Sequence, residues 1–539
     1  MAQRPTFILR GRIVKMNDDL TVINDGYVAI KNGIIAAIAQ DQNDLPDEFA
    51  GKTVVDTEGT IFPGLIDLHN HFAYNVLPLW LVPKQYANRS QWQSNSDYQL
   101  NYSKPLKEVL AVNAVPAKAL VRYVEAKALF GGTTTGQGIN TQVNGGPQSF
   151  RGAMRNVENP DDMNLLPAGT MVPNLNVTAS DAEKRIAAFR KAILNPGYAA
   201  YYYHLSEGID DLTRQHFLNL KMHDLISSKL VGIHSLGLHS EDLNELASKG
   251  AKIVWSPFSN NLLYGKTLDL RNLKDSGALF SLGCDWSPSG SKNLLEELKV
   301  ANFYNTEQGD VFTDSEIVKM VTINAAKVAG WSAKIGSIET TKYADLLVIS
   351  GTAGDPYSQL INAVEKDIVL VAVDGICRYG NIDYMKKLHF DINVKIERIM
   401  VGDTEKGAYL YSESSPINDL TFTEAVKTLK DIMSDLPAYH EKMQSYNKIA
   451  SALVESNEKQ FQVILDNEYE MQSEMFPDDS FLSKMKSAST FEATKDLPMP
   501  QSVEFDEPYV FGDAYLNRIN SQINISQELK DYLISFYYQ

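Results

Sequence analysis

Six short apolar runs, at 64–68, 132–136, 199–204, 230–233, 252–255 and 279–283, recur along the chain with longer amphipathic segments between them. An apolar run of this length reads as a buried strand and an amphipathic segment as its covering helix, so the alternation implies βα units around a parallel sheet. Six or more such units over about 280 residues favour a (β/α)8 barrel of the TIM type over an open sheet.

The flanks have a different texture. Residues 7–40 hold short β-rich stretches punctuated by Asp25-Gly26 and Asn32-Gly33, dipeptides that supply the positive φ of tight hairpins. The same texture returns at 344–349 and 367–375, so two distant segments are able to share one small sheet domain. Beyond about residue 390 the chain turns acidic. Residues 391–539 contain 26 Asp and Glu against 13 Lys and Arg, and so carry most of the net charge of −17. Thr421 with Glu424 forms a capping-box pattern, followed at helical spacing by Val426, Leu429, Met433 and Leu436. A second helix is expected from Ser526, with Leu529, Leu533, Phe536 and Tyr537 near one face. This acidic, mainly helical extension needs the barrel exterior or a second subunit to bury its stripes, which makes a homo-oligomer compatible with the sequence.

The charge excludes partners held through many phosphates, so no nucleic-acid partner is expected. Cys284 and Cys377 are too few for a disulfide framework, no apolar run approaches 18 residues, and the start at Met1 lacks the apolar stretch of a signal peptide. The expectation is a soluble cytoplasmic protein with no membrane partner.

The chemistry concentrates at the ends of the apolar runs. Pro63-Gly64-Leu65-Ile66-Asp67-Leu68-His69-Asn70-His71 ends in two histidines one residue apart, and strand alternation projects both imidazoles to one side, where they can chelate one ion. His204 ends the aromatic run Tyr201-Tyr202-Tyr203, with Glu207 three residues on as a proton-transfer carboxylate. His234 ends another run, and Asp285 follows Leu282-Gly283-Cys284. Any one of these is commoner as a packed histidine or a helix cap; four strands ending in metal-competent or acid–base side chains are not. His216, His223, His239, His389 and His440 lack this context, His239 reading as the cap of the next helix. Gly131-Gly132-Thr133-Thr134-Thr135-Gly136 lacks the lysine of a phosphate loop, and Cys284 reads as strand packing.

In these motifs the chain resembles the amidohydrolase superfamily, in its cytosine deaminase, guanine deaminase and chlorohydrolase-like branch. The resemblance runs from about residue 7 to 380 and also takes in Ser256-Pro257-Phe258-Ser259-Asn260, Thr322-Ile323-Asn324-Ala325-Ala326-Lys327, Gly336-Ser337-Ile338-Glu339 and Tyr343-Ala344-Asp345-Leu346. It implies a metal-holding barrel at 63–336, a small composite β-sandwich domain from 1–62 and 337–385, and leaves 386–539 as an extension without counterpart. It further implies His69, His71, His204 and Asp285 as metal ligands, His234 as partner of the metal-bound water, and Glu207 as proton shuttle. No Lys ends a strand-like run between Thr135 and Tyr201, so one divalent ion is expected, Zn2+ first with Fe2+ and Mn2+ as alternatives.

The reaction implied is hydrolysis of a non-peptide C–N bond in a small, nitrogen-rich or cyclic substrate, of deaminase or amidohydrolase type. The ion lowers the pKa of water from about 15.7 toward 7. Glu207, His234 and Asp285 then move protons during attack and departure of the amine. A dinuclear amidase or dipeptidase is the alternative within enzymes, and a catalytically silent scaffold the alternative outside them. Two loops are left open: 72–93, which carries Trp80, Tyr86, Arg89 and Trp92, and the amide-rich 137–151, which suits a polar pocket or a solvated loop equally.

Overall fold

The computed structural model describes residues 4–537 apart from 138, 144–145, 150–151, 161, 390–394, 414, 454–460, 466–496 and 511. Four strands open the chain: β1 (Phe7–Val14), β2 (Val22–Lys31), β3 (Ile34–Ala39) and β4 (Val54–Pro63). Asn32 and Gly33 join β2 to β3 at φ of 53° and 83°, the left-handed pair that a two-residue hairpin requires.

Pro63 and Gly64 lead into β5 (Leu65–Asp67), which pairs in parallel with β6 (Thr133–Gly136). A hairpin, β7 (Asn140–Val143) and β8 (Gly146–Ser149), separates β6 from its next parallel neighbour β9 (Arg155–Asn156). A second parallel sheet runs β10 (Ala168–Met171), β11 (Ala200–Leu205), β12 (Leu230–His234), β13 (Lys252–Trp255) and β14 (Leu279–Leu282). Ala168 N–H donates to Val157 O at 2.8 Å, which joins β9 to β10. At the other seam His71 N–H donates to Asp285 O at 2.6 Å and Asp285 N–H to His69 O at 2.8 Å. The eight parallel strands therefore close into a barrel. A Cβ on Gly283 would lie 2.5 Å from His69 Cβ, so the seam closes only because that position has no side chain.

All six expected strand runs are strands, but β9 and β10 were not foreseen. The second and third units also depart from regular alternation, with a β-hairpin and an irregular loop where a covering helix was expected. Elsewhere the helices fall where amphipathic segments were read, at Ala114–Phe130, Ala182–Ile193, Asp211–Met222, Ser240–Ser248 and Leu294–Glu307. His239 is the N-cap of Ser240–Ser248.

The flanks share one sheet. β15 (Leu346–Ser350), β16 (Ile368–Val373), β17 (Ile376–Asn381), β18 (Glu397–Val401) and β19 (Thr404–Ala408) join the opening strands in the order β18-β19-β17-β16-β15-β4-β1-β2-β3. The sheet thus takes two strands from beyond residue 386, where a mainly helical extension was expected. A third strand of the extension, β20 (Phe461–Ile464), pairs with β7. The amide-rich segment is therefore sheet at 140–143 and 146–149, while 138, 144–145 and 150–151, Asn144 among them, lie outside the described residues.

The helical stripes of the extension dock on the barrel. Thr421 caps Phe422–Met433 with a complete capping box, and Phe422 stacks on Tyr123 at 5.9 Å and meets Phe130 edge-on at 5.0 Å, both on helix Ala114–Phe130. Arg122 on that helix, buried, satisfies its guanidinium with the carbonyls of Leu410, Ile417 and Leu420. Ser526 caps Gln527–Ser535, whose Tyr532 lies 5.5 Å from Phe303 on helix Leu294–Glu307. Among the described residues no helix is long and apolar enough to cross a membrane.

Candidate metal centre and acid–base site

The site sits where β5, β11, β12 and β14 end on the same rim, the C-terminal face on which barrels of this kind carry their reactive groups. β5 stops at Asp67, one residue short of the apolar run's end, and His69 and His71 flank Asn70, which pairs with Asp285 in an isolated parallel bridge. Both rings converge. His69 Nε2 and His71 Nε2 stand 3.2 and 3.3 Å from His204 Nε2, and 3.3 and 3.5 Å from Asp285 Oδ1. A tetrahedron of ligands about 2.1 Å from a central ion has edges of about 3.4 Å. Four of the six distances among these donor atoms fall at that spacing, and His69, His71 and Asp285 form a group whose ligand atoms all lie within 4.8 Å of one another, an arrangement that suits a divalent cation.

Electrostatics agree with the geometry. Burial, reinforced by neighbouring imidazoles, drives His69 and His204 well below the ordinary histidine range, so both rings are neutral lone-pair donors. His69 Nδ1 pairs with Ser256 Oγ at 2.8 Å, which leaves Nε2 for the ion and fixes the ring plane. Burial raises Asp285 above its ordinary value, against the pull of His234 and His71 and the bond from Ser259.

The acid–base groups stand beside the quartet. His234 Nε2 is 3.8 Å from Glu207 Oε1 and 3.9 Å from Asp285 Oδ2, a span too long for direct bonds and wide enough for a shared oxygen. His234 Nδ1 faces Asn260 Oδ1 at 2.9 Å; an amide oxygen only accepts, so the proton is on Nδ1 and Nε2 is the basic atom. Glu207 accepts from Tyr264 Oη at 2.6 Å and from Arg89 at 3.4 Å. Burial would push Glu207 up, but His234, Arg89 and the Tyr264 hydroxyl together hold it below the ordinary carboxylate value. His234 and Asp285 both have left-handed backbone, φ 63° and 67°, a conformation that non-glycine residues take at a cost and that clusters at functional sites.

One helix orients most of this. Pro257–Tyr264 begins a single residue after β13, and its Ser259, Asn260 and Tyr264 contact Asp285, His234 and Glu207 in turn. Ser259 donates to Asp285 Oδ2 at 2.6 Å. The motif Ser256–Asn260 is visible in the sequence but its roles are not, and Tyr264 carries no sequence signal of its own. Above the site Trp286 stands 5.7 Å from the His71 ring and 4.8 Å from Tyr74, with Trp92 and Tyr98 at 5.7 and 5.9 Å from it. The loop 72–93 therefore contributes an aromatic wall and one buried cation, Arg89. His216, His223, His239, His389 and His440 lie outside this cluster, as expected.

Residues 60–377 match the model of the amidohydrolase family. The chain is 25% identical over 370 residues to the imidazolonepropionase of Geobacillus sp. (strain WCH70), covering 62% of this chain and 85% of that protein. It is 24% identical over 409 residues to the 5-methylthioadenosine/S-adenosylhomocysteine deaminase of Thermodesulfovibrio yellowstonii, covering 69% of this chain and 92% of that enzyme. Among solved structures, E. coli guanine deaminase superposes with a TM-score of 0.53 at 18% identity, over 69% of this chain and 98% of that one.

Proposed function

The chain belongs to the amidohydrolase family, and on that footing we propose that it is a mononuclear, metal-dependent hydrolase that releases ammonia or an amine from a small planar, nitrogen-rich substrate. The observation that carries this reading is the convergence of His69, His71, His204 and Asp285, with four donor distances of 3.2–3.5 Å among them and Glu207 and His234 alongside. Zn2+ is the proposed ion, since three imidazoles and a carboxylate suit it, although Fe2+ and Mn2+ accept the same set. Bound there, it would acidify water and polarise the carbon under attack. The strand ends β9 and β10 offer Asn156 and Met171 rather than a bridging lysine, which supports one ion over two.

The chain's own residues handle the protons. His234 Nε2, basic because Nδ1 is committed to Asn260, and Asp285 Oδ2, oriented by Ser259, face the same point and receive the proton of the attacking water. Glu207, ionised at rest, takes that first proton by way of His234 and delivers it to the substrate nitrogen beside the reacting carbon, and the water's second proton passes to Asp285. Asp285 returns its proton to the departing amine. Trp286 and Trp92 stack on the planar substrate and exclude bulk water, and Arg89 meets an acceptor group on its rim. Residues 63–336 are read as the catalytic barrel, 1–62 with 337–385 as a composite β domain, and 386–539 as an acidic extension that lends that domain's sheet the strands 397–401 and 404–408. Two buried free thiols support a reducing compartment such as the cytoplasm.

The test is an ammonia-release screen of purines, pyrimidines, triazines, amidines and N-acyl amino acids against protein of verified metal content, with Glu207→Gln as control. Turnover by the wild type and a fall of about 10²- to 10⁴-fold in Glu207→Gln, with metal retained, is expected. A Glu207→Gln protein at near-full rate overturns the proton assignment, and two equivalents of tightly held metal overturn the mononuclear reading.

A further inference from the structure

The acidic extension reaches the loops that carry the metal centre. Asp506 is buried between two buried lysines: its Oδ2 accepts from Lys127 Nζ at 2.5 Å and its Oδ1 from Lys292 Nζ at 2.7 Å. Lys127 is on helix Ala114–Phe130; Lys292 is seven residues past Asp285. The Asp506 backbone is held as well, its N–H on Val76 O at 2.9 Å and its carbonyl accepting the Tyr123 hydroxyl. Two ammonium groups this close in a dry interior demand an anion, and Asp506 is the carboxylate bonded to both.

From there a chain of hydrogen bonds leads to the ligands. Lys127 also donates to Asn75 O at 2.9 Å and Ser287 Oγ at 2.6 Å. Ser287 N–H donates to Asn75 Oδ1 at 2.8 Å, Asn75 Nδ2 to Asn70 Oδ1 at 2.9 Å, and Asn70 Nδ2 to Asp67 Oδ2 at 2.8 Å. Asn70 is flanked by the two histidines, and Ser287 is two residues past Asp285. Further along the same segment, Arg518 donates to Leu79 O at 2.9 Å, and Gln522 bonds both Trp80 O at 2.8 Å and the Val82 N–H at 3.4 Å.

We propose that residues 497–510 and 512–537 are a strap that sets the loops after His71 and Asp285, and that Asp506 is a positioning residue for the metal centre and the aromatic wall over it. The proposal rests on the functional reading above only for what those loops serve. Asp506 touches neither ligand nor substrate; it acts by pinning both loops to one buried charge. Removing that charge frees the two loops while the rest of the barrel keeps its packing.

Metal-loaded full-length protein tests this without turnover. In Asp506→Asn, amide hydrogen exchange in peptides spanning 72–93 and 285–293 is expected to speed at least tenfold, and metal release to excess EDTA at least tenfold. Helix Ser240–Ser248, the internal reference, is expected to stay within twofold, and Asp506→Glu to recover most of both effects. Unchanged loop exchange and metal release, or acceleration spread equally to Ser240–Ser248, overturns the proposal. If Asp506→Asn does not fold, Gln522→Ala takes its place, since it removes two strap bonds and no buried charge. Faster exchange confined to 79–83 then supports the strap, and unchanged exchange overturns it. A protein that proves inactive throughout the ammonia screen sinks the functional reading and leaves the exchange measurement to decide this one.

Discussion

Tyr264 and Glu207, 57 positions apart, meet at 2.6 Å, the phenol donating to Oε1 while it accepts the Trp92 indole N–H at 2.9 Å. This relay ties Glu207, the proposed proton-transfer carboxylate, to the aromatic wall. A hydrogen bond to a charged group is worth about 1.5–3 kcal/mol. Tyr264→Phe is therefore expected to lower kcat by about 10- to 100-fold with metal content unchanged, measured by steady-state kinetics and metal analysis. An unchanged kcat would remove Tyr264 from the site's machinery.

Metal removal gives the second expectation. The purified protein should bind one equivalent, and His204→Ala should bind none firmly, because it removes the nitrogen that faces both other imidazoles at 3.2 and 3.3 Å. Free metal at a hundred times its dissociation constant should stabilise the wild type by about 2.7 kcal/mol. Calorimetry showing the same transition with and without metal would contradict a folded-state site.

Arg89 supplies the third. Among the described residues its one hydrogen bond is the 3.4 Å contact with Glu207, so the buried guanidinium has donors left for a substrate acceptor. Arg89→Gln is expected to raise KM by about tenfold while kcat falls less, the pattern of lost ground-state binding. A fall in kcat at constant KM would assign Arg89 to holding Glu207 instead.

The fourth concerns pH and lies away from the metal. Burial, opposed by Lys292 and the Tyr515 hydroxyl, pushes Glu296 up to about 7. Its folded pKa thus exceeds its unfolded one near 4.5, so the folded state holds the extra proton between these values. Stability from this group is present below about 4.5 and declines as pH rises through 7, by about 3 kcal/mol in all. Glu296→Gln should therefore lose that share of the slope and gain on the wild type between pH 5 and 8 in denaturant titrations. Parallel curves would show that Glu296 is ionised throughout.

How much of this was legible depends on where each residue gets its position. Six barrel strands could be read because five of their runs hold three or more apolar residues and the sixth, 132–136, holds three β-branched threonines. Arg155–Asn156 has no apolar side chain and Ala168–Met171 only two, so neither gave a pattern to read. The metal quartet could be read because each member ends or closely follows an apolar run. Tyr264, Ser259 and Asn260 were not, since their reach depends on how one short helix packs over the rim. The stripes led by Thr421 and Ser526 gave the helices of the extension but not the surface they cover. Asp506, in an extended stretch without periodicity, gave no signal beyond being one acid among many.

The first and last strands of the barrel are stitched to each other by the backbone of His69, His71 and Asp285, so the ring's fastening and its reactive centre are the same few residues. A nascent chain that stops short of residue 285 has its imidazoles and nothing to complete them. Binding of the proposed ion would then require that the hoop has shut.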